Sequence, residues 1–257
     1  MKKTAVVTGA SSGMGREFVR QIAGKYPWLE EIWAIARRAE ELEKLKEEVQ
    51  EVFIRPLPLD ISRMEDREML NGLLEKEKPE ILFLVNAAGM GVQKKFVCTS
   101  LWEAVSTTEL NCTALTGITR LCLPYCKERG RIFMLASAAA FVPQPGFAVY
   151  AASKAYVVSF SRALNRELKN QKIQVTAVCP GPVDTLFLEK MGGKDRMPGY
   201  KKPFIASPKG VVKKALKDGA RGKELSVPGI PIKLLEAGCK ILPHSLILKF
   251  MEEKSEP

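Results

Sequence analysis

The chain has 257 residues, 46% of them hydrophobic and 27% charged, and carries a formal net charge of +11 at neutral pH. This size and balance fit one globular domain with a large core, and no run of about 18 or more uncharged apolar residues reads as a membrane span. With one histidine, His244, the chain has no histidine-rich metal site, and a Ser-His-Asp triad is an unpromising reading; proton transfer must use another group.

In chain order, Thr4–Thr8 is a β-branched apolar run that predicts a buried strand. It enters Gly9-Ala10-Ser11-Ser12-Gly13-Met14-Gly15, after which Phe18, Val19, Ile22 and Ala23 recur at helical spacing. Glycines at a strand-to-helix turn are suited to hold a pyrophosphate. Gly9 takes the tight turn, Gly13 lets backbone approach phosphate, and Gly15 lets the helix pack on the sheet, while free N–H groups of the first helical turn face the anion. Glu31–Ala36 reads as a second strand, Glu40–Val49 as a charged helix with Leu42 and Leu45 inward, and Val52–Leu59 as a third strand leading to Asp60. A helix over Met64–Lys76 and an apolar central strand over Ile81–Val85 follow. Next come a long helical region from about Leu101 to Cys126, a strand over Arg131–Leu135, a helix over Tyr150–Leu168 and strands at Ile173–Val178 and Glu224–Val227. The stretch from Gly192 to Lys209, rich in Pro, Gly and Lys, reads as a long loop. The alternation predicts an α/β fold with one domain over residues 1–257, a Rossmann-like doubly wound parallel sheet flanked by helices.

The tail from Ile230 to Met251 reads as two short helices broken at Pro243. It would cover the pocket, form a subunit contact or lie on a membrane surface, and Pro243 favours the first two by interrupting a continuous amphipathic face. The six cysteines stand in apolar contexts and read as free thiols, and the N-terminus enters a strand without a signal-peptide pattern, so a reducing, cytoplasmic location is expected. Eleven basic residues between Lys190 and Lys223 face only Asp195 and Asp218. They read as a solvated face, as a site for an anionic substrate, or as a contact for an anionic membrane; nucleic acid is disfavoured because no aromatic residues interleave the charge.

Tyr150 and Lys154 are four apart, which places a phenol and an ammonium on one face of a helix. The ammonium favours the phenolate, which makes the pair a proton donor and acceptor usable near neutrality. Ser137 follows a buried strand, Asn111 lies in the long helical region, Asn86-Ala87-Ala88-Gly89 ends the fourth strand and Pro180-Gly181-Pro182-Val183-Asp184-Thr185 ends the sixth.

In these motifs and their order the sequence resembles the short-chain dehydrogenase/reductase family, over about Lys3 to Val227. The resemblance implies that Tyr150 is the acid/base, that Lys154 lowers its pKa and holds the nicotinamide ribose, that Ser137 hydrogen-bonds the substrate oxygen, and that Asn111 holds a water in a proton relay. It also implies cofactor contacts from Gly9, Ser11, Ser12, Gly13, Met14 and Gly15. Asp60 would lie near adenine, with Asn86 and Gly89 on the adenosine-ribose side. Pro180, Gly181, Val183 and Thr185 would lie around the nicotinamide. Residues 228–257 depart from the family's common pattern, and no metal is implied.

The second strand ends Ala36-Arg37-Arg38 with no carboxylate at the turn, which points to NADP(H), with Arg37 as the main contact to the 2′-phosphate and Arg38 as helper. Met90, Phe96, Phe141, Val142, Phe147, Leu186, Phe187, Leu188, Met191, Met197 and Phe204 are expected to line an apolar pocket. Lys190, Lys194, Arg196, Lys201 and Lys202 are expected on a lid that meets an anionic tail. The expected substrate is a lipophilic ketone or alcohol, steroid- or bile-acid-like, with a 3-oxoacyl thioester as the alternative. A homodimer or homotetramer is expected. The competing classes are a catalytically idle NADP-binding sensor or scaffold and a peripheral membrane or nucleic-acid binder.

Overall fold

The computed structural model describes residues 1–190 and 205–252. Seven parallel strands form one sheet in the order β3-β2-β1-β4-β5-β6-β7. Strand β1 (Lys3–Thr8) pairs with β2 (Glu31–Ile35) on one side and with β4 (Glu80–Asn86) on the other. The chain therefore winds outward from β1 through β2 to β3 (Phe53–Leu57), then crosses back and winds the other way through β4. The reversal leaves a crevice at the carboxyl ends of β1 and β4, where open α/β sheets bind ligands.

Continuous apolar runs in β1, β2 and β4 are what a sheet covered on both faces requires. Alternate residues along each strand feed two cores. One packs Val7, Ala34, Val85 and Phe133 against α1 (Gly13–Lys25) and α8 (Pro208–Ala220). The other packs Val6, Trp33, Leu84 and Met134 with α3 (Met64–Glu77), the α5 helix (Leu115–Cys122) and α6 (Ala148–Glu167). The connection from β2 to β3 is α2 (Ala39–Glu48), with Leu42 and Leu45 buried as its spacing predicts. Strand β6 (Gln174–Val178) pairs with β5 and with the edge strand β7 (Leu225–Ser226), which is only two residues long.

The region expected as one helix from Leu101 to Cys126 is segmented. It comprises α4 (Leu101–Thr108), a π-helical turn over Glu109–Ala114, α5 and a 3₁₀ turn over Leu123–Tyr125. Pro124 ends the helical run because it supplies no N–H, and Cys126 already belongs to β5 (Cys126–Leu135), paired with Ile81. Of the stretch expected as a loop from Gly192 to Lys209, residues 192–204 lie outside the described part, and the end is helical, since α8 starts at Pro208 with Ser207 capping Gly210 N. The tail forms two helices as expected, α9 (Ile230–Ile241) and α10 (His244–Glu252), separated at Pro243. All six cysteines are free, and no described helix is long and apolar enough to cross a membrane.

Candidate active site

The turn after β1 is built by close approach of backbones. Gly9 sits at φ +68°, and a Cβ there would lie 2.7 Å from Ala88 N; a Cβ on Gly15 would lie 2.2 Å from Gly9 O. No side chain but hydrogen fits either place. Thr8 braces the turn by accepting hydrogen bonds from Ala87 N (3.1 Å) and Ala88 N (3.2 Å), which ties the β1 and β4 ends together. Ser12 precedes α1 without capping it through its side chain, and the first turn of α1 holds no acidic residue, so its N–H groups are open to an anion. These features fit a pyrophosphate: bare backbone, donors at a helix start and no negative charge.

Arg38 donates to Ser11 Oγ at 3.1 Å and so lies against the glycine turn, whereas Arg37 is mostly exposed and stands 3.8 Å from Asp60 Oδ2. Asp60 accepts from Ser62 N and Oγ. The two arginines thus face opposite ways, Arg38 toward the glycine turn and Arg37 toward Asp60 after β3.

The expected acid/base group lies deeper. Tyr150 is buried on the first turn of α6, its ring stacked on Phe147 at 4.2 Å and tilted against Phe187 at 5.7 Å. Burial pushes its phenol up to about 12, and a hydrogen bond with Ser137 pulls the other way. Ser137 is placed by the 3₁₀ turn Ala138–Phe141, which its Oγ caps by accepting from Ala139 N at 3.1 Å. One turn along α6, Lys154 is buried, its Nζ 5.6 Å from the Tyr150 ring centre and donating to Leu135 O at 2.8 Å. Burial brings its ammonium down to about 8. The expectation that Lys154 lowers the Tyr150 pKa is therefore not the pattern seen. Burial dominates both groups, and Ser137 is the neighbour that opposes it at Tyr150.

Asn111 sits in the π-helical turn with its amide fully engaged. Its Oδ1 accepts from Met90 N (2.9 Å), and its Nδ2 donates to Met90 O (2.8 Å) and Ser153 Oγ (2.9 Å). Ser153 Oγ in turn donates to Tyr150 O at 2.7 Å. The side chain braces the loop after β4 against the Tyr150 turn of α6.

A cavity of about 700 Å³ joins these parts. It is lined by Gly9, Ser11, Ser12, Gly13, Met14 and Gly15, by Arg37, Arg38, Asp60 and Gly89, by Ser137, Tyr150 and Lys154, and by Pro180, Gly181, Val183 and Thr185. Asn86 and Asn111 are not on its wall. Asn86 is buried, donates to Thr119 Oγ1 at 3.0 Å and has an Oδ1 without a hydrogen-bond partner. Of the expected apolar lining, Phe147, Leu186, Phe187 and Leu188 reach the cavity. Met90 does not; Phe96 is 65% exposed, and Phe141 and Val142 are turned into packing. Met191, Met197, Phe204, Lys194, Arg196, Lys201 and Lys202 lie outside the described residues, as does the Lys190 side chain at the end of α7 (Leu186–Lys190). The wall also includes Ile232 and Leu235 of α9, and Ile232 presses on Gly181, where a Cβ would come within 2.7 Å of its Cδ1. Gly91 was not anticipated as a site residue, although a Cβ there would meet Tyr150 Cδ2 at 2.7 Å. Its signal in the sequence was only a second glycine two residues after Gly89.

Comparison with known proteins agrees with this geometry. A family model described as short chain dehydrogenase matches residues 3–195. The chain belongs to that family. Within it, an NADP-dependent 3-hydroxy acid dehydrogenase of Schizosaccharomyces pombe is 34% identical over 194 residues, 72% of this chain and 73% of that protein. A very-long-chain 3-oxoacyl-CoA reductase of Ajellomyces capsulatus is 31% identical over 227 residues, 86% of this chain and 65% of that protein. A short-chain dehydrogenase from Sphingobium yanoikuyae, solved in complex with NADPH, superposes with a TM-score of 0.79 at 26% identity and 93% coverage of both chains. As a short-chain dehydrogenase the chain is an oxidoreductase, with the parallel Rossmann-like sheet of its relatives.

Proposed function

We propose that this short-chain dehydrogenase is an NADP(H)-dependent enzyme that interconverts a ketone and a secondary alcohol on a bulky, apolar substrate. The observation that carries the reading is the buried Tyr150–Ser137 pair opening on the same cavity as the bare glycine turn. When bound, the nicotinamide supplies or accepts the hydride. The protein's part is to handle oxygen and proton. In reduction, the Tyr150 O–H, protonated at neutral pH, donates its proton to the carbonyl oxygen as negative charge gathers there. Ser137 Oγ donates a hydrogen bond to the same oxygen. Lys154, on the same cavity wall and mostly charged at pH 7 with a pKa of about 8, would hold the ribose hydroxyls of the cofactor. Asn111, through Ser153 and the α6 backbone, keeps this turn in register.

The choice of NADP(H) is supported by Arg37 and Arg38 at the end of β2, where the turn itself carries no carboxylate. It is also supported by the relatives that act with NADP or were solved with NADPH. The apolar substrate is supported by Phe147, Phe187, Ile232 and Leu235 on the cavity wall. A hydroxysteroid or bile-acid-like ring system suits that wall. A 3-oxoacyl thioester is the second reading, favoured by the Ajellomyces capsulatus relative. A panel of hydroxysteroids, bile acids and 3-oxoacyl thioesters, followed by NADPH absorbance and repeated with NADH, tests both. Turnover of none of these with either cofactor would overturn the reading.

A further inference from the structure

The helix that walls the cavity has a second face that stays exposed among the described residues. In α9, Ile230, Leu234, Ala237 and Ile241 follow the spacing i, i+4, i+7, i+11, which places them on one stripe along the helix. Ile230 is 74% exposed, Leu234 68% and Ile241 81%, and Ala237 is exposed as well. The apolar surface continues across the break at Pro243, with Leu242 before it 51% and Leu246 after it 60% exposed. No side chain of α9 is fully buried. A helix that faces its own protein would turn its apolar stripe inward; here only Ile232 and Leu235 do so, and the larger apolar face points out.

The charge beside this stripe selects the occupant. Lys233 and Lys240 lie seven apart, on the same flank of α9, and α10 carries Lys249 on an exposed position ahead of Glu252. Glu236 is the only acid of α9 and is paired with Lys240. The whole chain carries +11. An antiparallel twofold pairing of two copies through the stripe would bring the lysine flanks of both together, like charge against like charge. An anionic lipid surface instead meets the stripe with acyl chains and the lysines with headgroups, the arrangement of an interfacial amphipathic helix. Pro243 does not spoil it, because each helix presents its own short face.

We propose that α9 and α10 dock this protein reversibly on anionic membrane surfaces, with the outward stripe of α9 set at the headgroup boundary and its inward face forming the cavity wall. The cavity then opens beside the bilayer, and a substrate dissolved in lipid enters along α9 without crossing water. That supply route rests on the proposed apolar substrate; the docking itself does not.

The test is co-sedimentation of the full chain with phosphatidylcholine vesicles, and with vesicles holding about 30% phosphatidylglycerol, at low and physiological ionic strength. Wild type is expected to bind the anionic vesicles, more weakly as salt rises. Leu234→Ser with Ile241→Ser should lower the partition coefficient by about tenfold or more, since two exposed apolar anchors are lost. Lys233→Glu with Lys249→Glu should lower it about tenfold on anionic vesicles only and remove the salt dependence. None of these residues lines the cavity, so kcat on a small water-soluble ketone should stay within about twofold while binding falls; this shows that the variants are folded. Wild type left in the supernatant with anionic vesicles overturns the proposal, as does a serine variant that binds like wild type. A wild-type dimer that the serine variant breaks, without vesicle binding, assigns the stripe to a second copy and overturns it as well. Inactivity toward every ketone in lipid-free solution would refute the proposed function and leave the docking result standing.

Discussion

Replacing Lys154 with methionine should change how stability depends on pH. In the folded protein without cofactor, burial holds the ammonium at about 8, against an ordinary value of 10.5. At 1.36 kcal/mol per decade, keeping that charge buried at pH 7 costs about 3.4 kcal/mol. The sign follows from proton counting. Between about pH 8 and 10.5 the unfolded chain binds a proton at this lysine that the folded protein has released, so stability rises with pH. Integrated from pH 7 to pH 10, the wild type should gain about 2.5 kcal/mol relative to the methionine variant, which keeps a similar stem and has no titrating group. The variant also loses the hydrogen bond to Leu135 O, a constant offset of about 1–3 kcal/mol that does not vary with pH. Tyr150, held up at about 12 against an ordinary 10.0, retains its proton longer than the unfolded chain does. Its contribution therefore falls as pH rises above about 10, and the comparison should stop there. The assay is denaturant unfolding of both proteins without cofactor at several pH values. A stability difference that stays flat from pH 7 to 10 would refute the view that the ammonium is held at a desolvation cost.

Other consequences of the site are testable in the same preparations. Tyr150→Phe keeps the stack on Phe147 and removes only the hydroxyl, so kcat should fall by about 10²–10⁴ with NADPH affinity nearly unchanged; more than about a tenth of wild-type kcat would refute the acid/base assignment. Arg37→Ala should weaken NADPH by about 1.5–3 kcal/mol and spare NADH, whereas Arg38→Ala should weaken both, because Arg38 also supports the glycine turn through Ser11; titration of each cofactor by fluorescence distinguishes them. Gly91→Ala would push a methyl group into a Tyr150 ring wedged between Phe147 and Phe187, so it should lower both kcat and stability, the latter by about 1–3 kcal/mol, in turnover and thermal-unfolding assays.

The glycine turn and the Tyr150–Lys154 face were legible because each depends on local spacing. Flanking periodicity places Gly9 and Gly15 at a strand-to-helix turn, and a four-residue step on a helix fixes one face whatever packs around it. The first half of β5 was not legible, because Lys127, Glu128 and Arg129 carry no apolar alternation where the strand bulges out of register between the Ile81–Cys126 and Phe83–Arg131 pairs. Direction was illegible too. Phe141 and Phe147 stand six apart near the same site, yet Phe147 reaches the cavity and Phe141 packs into the core, a choice made by the turn between them. The order of Arg37 and Arg38 on the phosphate side depends on which of two adjacent residues faces Ser11, which composition does not encode. Ser153 gave no signal, since its role exists only through partners 42 and three residues away.

The amide of Asn111 is read by its surroundings in one direction only. Its oxygen side meets an N–H of Met90, and its nitrogen side meets the carbonyl of the same residue and the hydroxyl of Ser153. Aspartate has the same shape but offers acceptors on both sides, so Asn111→Asp would set a carboxylate oxygen against the Met90 carbonyl. The near-isosteric change should then be worse than truncation to alanine, by about 1–3 kcal/mol in unfolding measurements. What position 111 preserves is a sense of polarity, so tolerance there should follow the orientation of a dipole and ignore side-chain volume.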